Sequence, residues 1–259
     1  MRSLLLAFTP NRSVSPATRI ALVGATLGVV LCVWLVLAPA AIPRPADVAR
    51  ALATLWTEQN LFEHLLTSLW LNVRAIAWST AITLALAYVS VLPAMRPFVD
   101  ALSKLRFTGM VGWGFVLTLL ARDGHQLKLW MLVFGMVPFF VTAMAAVVAA
   151  IPRERFDHAR TLGLSEVRVV WEVVVRGTLD EALETTRHNA AMGWMMLAMV
   201  EGIVRAEGGL GALMQNEHKH LHLDAVFALI AVVLAVGVAQ DLALRWLRRT
   251  LCPYAETSS

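Results

Sequence analysis

Apolar residues fall along this chain in long uninterrupted runs rather than in the alternations of a sheet or the one-sided stripes of soluble helices. Four runs are long enough to cross a bilayer as helices: Ile20–Ala41, Val73–Leu92, Leu129–Ile151 and Ala225–Leu244; a spanning helix needs about 20 apolar residues. Phe107–Ala121 and Asn189–Val204 are shorter or interrupted by polar residues, as expected of helices buried among other helices. The pattern predicts an all-α polytopic bundle of six transmembrane helices, five being the alternative count. Gly109, Gly112 and Gly114 in the third span predict close approach of a neighbouring backbone. Between the first two spans, Ile42-Pro43-Arg44-Pro45 leads into Ala46–Leu71, whose Trp56, Leu61, Phe62, Leu65 and Leu69 predict a short extracytoplasmic helix feeding the second span. The pattern breaks most sharply at residues 152–187, a polar island holding six arginines.

Composition agrees. Of 259 residues 58% are hydrophobic and 15% charged, with mean hydropathy +0.67. Soluble domains run nearer about a quarter charged, so length here counts spans rather than soluble domains. The net charge of +4 points away from nucleic acid, because a polytopic protein collects Lys and Arg on its cytoplasmic side. With the N-terminus inside, the inner segments hold Arg2, Arg12, Arg19, Arg96, Lys104, Arg106, the six island arginines, Arg245, Arg248 and Arg249. These are 15 of the 22 basic residues. The bias places the island and both termini in the cytoplasm. The chain thus divides into an N-terminal segment 1–19, a transmembrane bundle 20–250 and a disordered tail 251–259. Ala38-Pro39-Ala40 has the look of a signal-peptide cleavage site, but the preceding run exceeds the roughly 7–15 residues of a signal core, so the helix is expected to be retained. Cys32 and Cys252 fall at different depths and form neither a disulfide pair nor a zinc pattern.

Within the island, Asp157–Leu162 predicts a helix with an acidic first turn, ended by Gly163. Ser165 is placed to cap a second helix whose Val169, Val170, Val173 and Val174 share a face. The resulting helix–Gly–helix lies along the membrane and exposes Arg160, Leu162 and Leu164 near its bend, a shape suited to a hydrophobic groove on a partner. The competing interpretation is an ordinary positive-inside loop meeting anionic lipid.

The island resembles the EAA loop of binding-protein-dependent ABC importer permeases, whose signature is E-A-A, three residues, G, nine residues, I-x-L-P. Asp157 stands for the Glu, His158 and Ala159 for the alanines, and Gly163 for the glycine at the same spacing; Val173 and Val175 fall at the Ile and Leu, while Arg176 replaces the proline. Residues 42–45 with His64-Leu65-Leu66-Thr67-Ser68-Leu69 resemble the nitrate/sulfonate/taurine-type branch. So do Glu207-Gly208-Gly209-Leu210-Gly211-Ala212-Leu213 and the basic end Arg245-Trp246-Leu247-Arg248-Arg249. The resemblance covers about residues 40–250 and is weakest over Phe107–Gln126, which lacks the family's proline-rich lead-in. It implies that Asp157, His158, Ala159, Arg160, Thr161, Leu162, Gly163 and Leu164 dock into a groove on an ATP-hydrolysing subunit. It also implies a second permease subunit, identical or different, an extracytoplasmic solute-binding protein, and a small anion such as nitrate or a sulfonate as cargo. No cofactor is expected in this chain, which lacks a G-x-x-x-x-G-K-[ST] phosphate loop; ATP and magnesium belong to the partner.

Three further features remain. Asn189, Trp194 and Glu201 in the fifth span are candidates to line the pathway, since ionisable and polar groups inside spans are functional candidates; an i,i+4 pair of Glu201 with Arg205 is the plainer expectation. His218, His220 and His222 alternate on the outer side and offer weak metal ligands, with Lys219 among them to repel a cation. A metal-uptake permease is therefore one rival reading. An intramembrane enzyme is another, lacking any nucleophile–base constellation, and a secondary transporter a third, lacking repeated halves.

Overall fold

The structure is a computed structural model and describes residues 15–37, 42–108 and 110–253. Arg2, Arg12, the Ala38-Pro39-Ala40 stretch, Gly109 and the tail beyond residue 253 lie outside the described residues. Those residues form eleven α-helices and no strand. They are α1 Pro16–Leu37, α2 Pro45–Glu58, α3 Leu61–Val89, α4 Arg96–Lys104, α5 Met110–Leu120, α6 Gly124–Ala149, α7 Arg153–Thr161, α8 Glu166–Val169, α9 Leu179–Ile203, α10 Leu210–Lys219 and α11 Leu223–Leu251. Four of them, α1, α3, α6 and α11, combine the length and apolar character of a membrane crossing.

The bundle is organised on α6, which packs along α3 on one side and α9 on the other; α11 and α10 close against α9, and α2 lies on α11. Leu71, Ala75, Leu132, Met136, Phe140, Leu197 and Leu229 fill the shared core. In hydrocarbon, apolar burial does not by itself hold helices together, so close fit and polar junctions must. One such fit is at Gly211, where a Cβ would lie 2.3 Å from the Ala198 carbonyl oxygen; only glycine lets α10 sit that close to α9. At Gly112 and Gly114 the predicted close approach in the third span is not seen. Gly112 has open space around it, and Gly114 faces only the flexible end of Met131. Helix α1 stands apart, its apolar window wholly exposed, joined through Trp34, which donates to the Pro43 carbonyl at 3.1 Å and meets Phe227 at 6.3 Å between ring centroids.

Two expectations change. The segment 46–71 is not one helix. Pro45 starts α2, helped by Asp47, whose carboxylate accepts from the Arg44 N–H, and Asn60, at φ 49°, ends the connection in left-handed backbone. The second span then begins at Leu61 rather than Val73. The third crossing is also broken: α5 has 11 residues, a rise of about 16 Å against about 30 Å of hydrocarbon. The inner part is supplied by α4, whose Val99 packs with Val137 and Val141 of α6. A 3-10 turn, Leu105–Phe107, and extended Thr108 separate the two pieces. Leu105, Arg106 and Thr108 thus stand beside Phe134, Gly135 and Pro138, at the middle of α6. Lys104 and Arg106, counted above with the cytoplasmic cations, are both exposed at this break, Arg106 level with the middle of α6.

Candidate functional site

The polar island folds as α7, a glycine turn and α8. Pro152 supplies the N-cap position of α7, and Glu154 is the acid of its first turn, where the helix dipole favours negative charge. The helix starts four residues earlier than the Asp157 expected from sequence. Its end is a Schellman turn: the Gly163 N–H bonds the Arg160 carbonyl at 2.9 Å and the Leu164 N–H bonds the Ala159 carbonyl at 3.4 Å. Gly163 has φ +76°, a conformation that costs a residue with a Cβ roughly 1–2 kcal/mol.

Arg160 crosses the turn. It donates to both carboxylate oxygens of Glu166 at 2.9 and 3.1 Å and to Asp157 at 3.2 Å. The fork-to-fork pairing fixes the angle between the two helices. The Arg160 hydrogen bonds, and then its charge, hold the Glu166 carboxyl below the ordinary carboxylate range. The acid of the signature, Asp157, is therefore part of an internal brace.

Beyond α8 the chain winds as a π-helix, Val170–Arg176. Sequence periodicity predicts an α-helix here with Val169, Val170, Val173 and Val174 on one face. The wider turn instead buries Val169 and Val174 completely, five positions apart. Ser165 occupies the N-cap position, but its side chain makes no capping bond. Gly177 ends the π segment where a Cβ would sit 2.2 Å from the Val173 carbonyl oxygen.

Phe156, Val170 and Val174 insert between Ala87 and Tyr88 at the C-terminal end of α3 and Met144 and Val148 at the C-terminal end of α6. The opposite side of the loop is bare: Leu162 is 68% exposed and Val167 83%, with Trp171 also out. Apolar groups exposed at the tip of a charged loop, on a base gripped by two long helices, have the character of a contact surface.

The loop runs directly into α9, whose first turns are tied to α11. Arg248 donates to Asp180 at 2.6 and 2.7 Å and to Glu184 at 2.7 Å. Arg187 bridges Glu184 at 2.5 Å and Asp241 at 2.6 Å. At the other end of α9 the fully buried Glu201 accepts from Ser68 Oγ at 2.7 and 2.8 Å and from the Gly211 N–H at 2.9 Å. It caps α10 from a different helix. Ser68 Oγ accepts from the Leu210 N–H at 2.8 Å, His64 Nδ1 from the Gly209 N–H at 3.0 Å, and Lys128 donates to the Gly208 carbonyl at 2.7 Å. The Glu207–Leu213 stretch is thus a built turn in which Gly208 and Gly209, at φ +68° and +107°, admit a backbone path that side chains would block.

A family model described as the inner membrane component of binding-protein-dependent transport systems matches residues 65–251. The chain belongs to this family. A curated relative is the taurine transport system permease protein TauC of Escherichia coli (strain K12), 28% identical over 243 residues, 88% of each chain. An ABC importer permease is a multi-pass inner-membrane transport subunit, not an enzyme, and ATP hydrolysis resides in a separate subunit.

In this permease, Ala159 is buried at the base of the loop, and Arg160, Leu162 and Thr161 are exposed. Asn189, Trp194 and Glu201, offered by the sequence as pathway-lining, are enclosed within the bundle. Trp194 Nε1 and Asn72 Nδ2 both donate to Gln240 Oε1, at 2.9 and 3.0 Å, knotting α9, α3 and α11. The expected Glu201–Arg205 pair is replaced by the Ser68 and Gly211 bonds. Among the described residues no three His, Cys, Asp or Glu side chains cluster to hold a metal. His222 bonds Glu217 at 2.8 Å, and His220 bonds the Asn216 carbonyl at 2.9 Å. Sequence reasoning passed over Ser68, Asn72, Lys128 and Gln240. All four are polar residues in or beside apolar runs, which is the signal that would have flagged them.

Proposed function

We propose that this permease carries a small organic anion of the sulfonate class, delivered by an extracytoplasmic binding protein, through a pathway shared with a second permease subunit. The observation that carries the proposal is the α7–Gly163–α8 loop, with its base clamped between α3 and α6 and its tip apolar and bare. In this reading Leu162 and Val167 enter a groove on an ATP-binding subunit, which holds ATP and magnesium; no group of this chain does. Closure of the ATP-binding pair draws the loops together, and α9 and α11, bound by Arg187 and Arg248, move as one body. The anionic cargo is supported by the similarity to a taurine permease.

The test is affinity purification of the tagged chain from its own cells, in parallel with uptake of labelled taurine. An ATP-binding subunit should co-purify with the wild-type chain and be lost with Leu162→Asp or Val167→Asp. Retention by both variants would remove the loop from the coupling interface, and uptake unaffected by deleting the chain would remove taurine as cargo.

A further inference from the structure

The gap between α4 and α5 holds charge where charge is hardest to keep. Leu105, Arg106 and Thr108 border a cavity of about 330 Å³ whose other walls include Pro138 of α6 and Met195 and Met199 of α9. This is the level of the middle of α6, several turns from either end. Arg106 is exposed there. The Phe107 ring lies 4.9 Å from its guanidinium carbon, and no carboxylate among the described residues pairs with it. An unpaired guanidinium at that depth does not face hydrocarbon; it faces water or a ligand. The break adds to the positive field, because α5 begins at Met110 with its first N–H groups directed back toward the gap. Thr108 contributes a hydroxyl that donates to the Leu105 carbonyl at 2.6 Å and keeps its lone pairs free.

We propose that the α4–α5 break is a transient binding site for the anionic head of the cargo within the translocation pathway. Arg106 supplies the charge, and Met195 and Met199 supply a soft apolar wall for the rest of a small organic anion. The proposal rests on the reading above that the cargo is an organic anion. A cation at mid-depth flanked by flexible thioethers binds weakly and without close shape demands, as a pathway must if its ligand is to leave again.

The test reads the site without reference to the true cargo. Thr108→Cys is placed in a Cys32→Ser, Cys252→Ser chain, and the complex with its ATPase is purified into nanodiscs. Its thiol is then reacted with the anionic reagent sulfonatoethyl methanethiosulfonate and with the cationic trimethylammonioethyl analogue. The anionic-to-cationic rate ratio should fall about tenfold on Arg106→Gln, the size expected for one unit charge a few ångströms away in a partly wet site, and recover with Arg106→Lys. Met199→Cys provides the same measurement should Thr108→Cys fail to assemble. A ratio indifferent to Arg106→Gln, or a thiol that refuses both reagents, overturns the proposal. A ratio that depends on Arg106 in a complex that moves no taurine supports the site and sinks only the taurine reading.

Discussion

Replacing Glu201 by leucine removes a carboxylate that is completely buried and accepts from Ser68 and from the Gly211 N–H. Each hydrogen bond to a charged acceptor contributes about 1.5–3 kcal/mol. Lys128, close enough to feel the Glu201 charge, is left with the Gly208 carbonyl as its acceptor. Losing both partners and leaving the buried Gly211 N–H unsatisfied should cost about 3–5 kcal/mol in all, the expected destabilisation of Glu201→Leu. For a chain of this size about 2–4 °C accompanies each kcal/mol, so the midpoint in detergent, followed by fluorescence-detected size exclusion, should drop by about 6–20 °C. Glu201→Gln keeps the shape and one acceptor, so its loss should be less than half as large, with the half-saturation for uptake unchanged. An unchanged midpoint for Glu201→Leu would refute the capping argument. A normal midpoint together with a raised half-saturation would return Glu201 to the pathway.

Gly163→Val imposes left-handed backbone on a β-branched residue and should cost about 1–2 kcal/mol, read as lost ATPase association with the bundle still folded by circular dichroism. Gly211→Leu cannot be accommodated 2.3 Å from the Ala198 carbonyl, and the protein should fail to appear as a monodisperse peak, whereas Gly112→Leu, with open space around it, should behave as wild type. The Arg160–Glu166 brace is sensitive to acid. Because the folded Glu166 lies below its ordinary value near 4.5, its contribution is complete above that pH and disappears as pH falls through the lowered value. Association of the purified complex should therefore weaken below about pH 4.5, and Glu166→Gln should abolish that part of the pH dependence.

The long apolar runs were legible because a bilayer imposes length, and α1, α3, α6 and α11 follow from it with only their ends displaced. The third crossing was not, because its inner half is α4, a short polar-faced helix that no hydropathy window would join to Met110–Leu120. Periodicity likewise missed the π segment after Val169. A pattern of four valines fits an α-helix face, and only the packing of Val174 against α3 and α6 selects the wider turn. The glycine at position 163 was legible from its spacing alone, whereas the need for glycine at 177 comes from the π turn that brings the Val173 carbonyl under it, and at 211 from the Ala198 carbonyl of another helix.

For charged residues the sequence gives the kind of group but not its partner. Arg187 and Arg248 read as members of a positive-inside cluster, yet each is spent on carboxylates that join α9 to α11, some of them more than fifty positions away in sequence. Glu201 read as a pathway group, yet its ligands are Ser68, 133 positions back, and the N-terminus of α10. Arg160 read as an exposed side chain; it is exposed, and it also holds its own loop in shape. Pairing sorts these cations into braces. Arg106, which charge counting set at the cytoplasmic surface with the rest, is left outside that group: it stands at the middle of α6 with an aromatic ring beside it and no carboxylate among the described residues. A folded chain tolerates such a cation at mid-depth only where water or a negative ligand reaches it, so in this bundle the unpaired arginine marks the wet side of the break between α4 and α5.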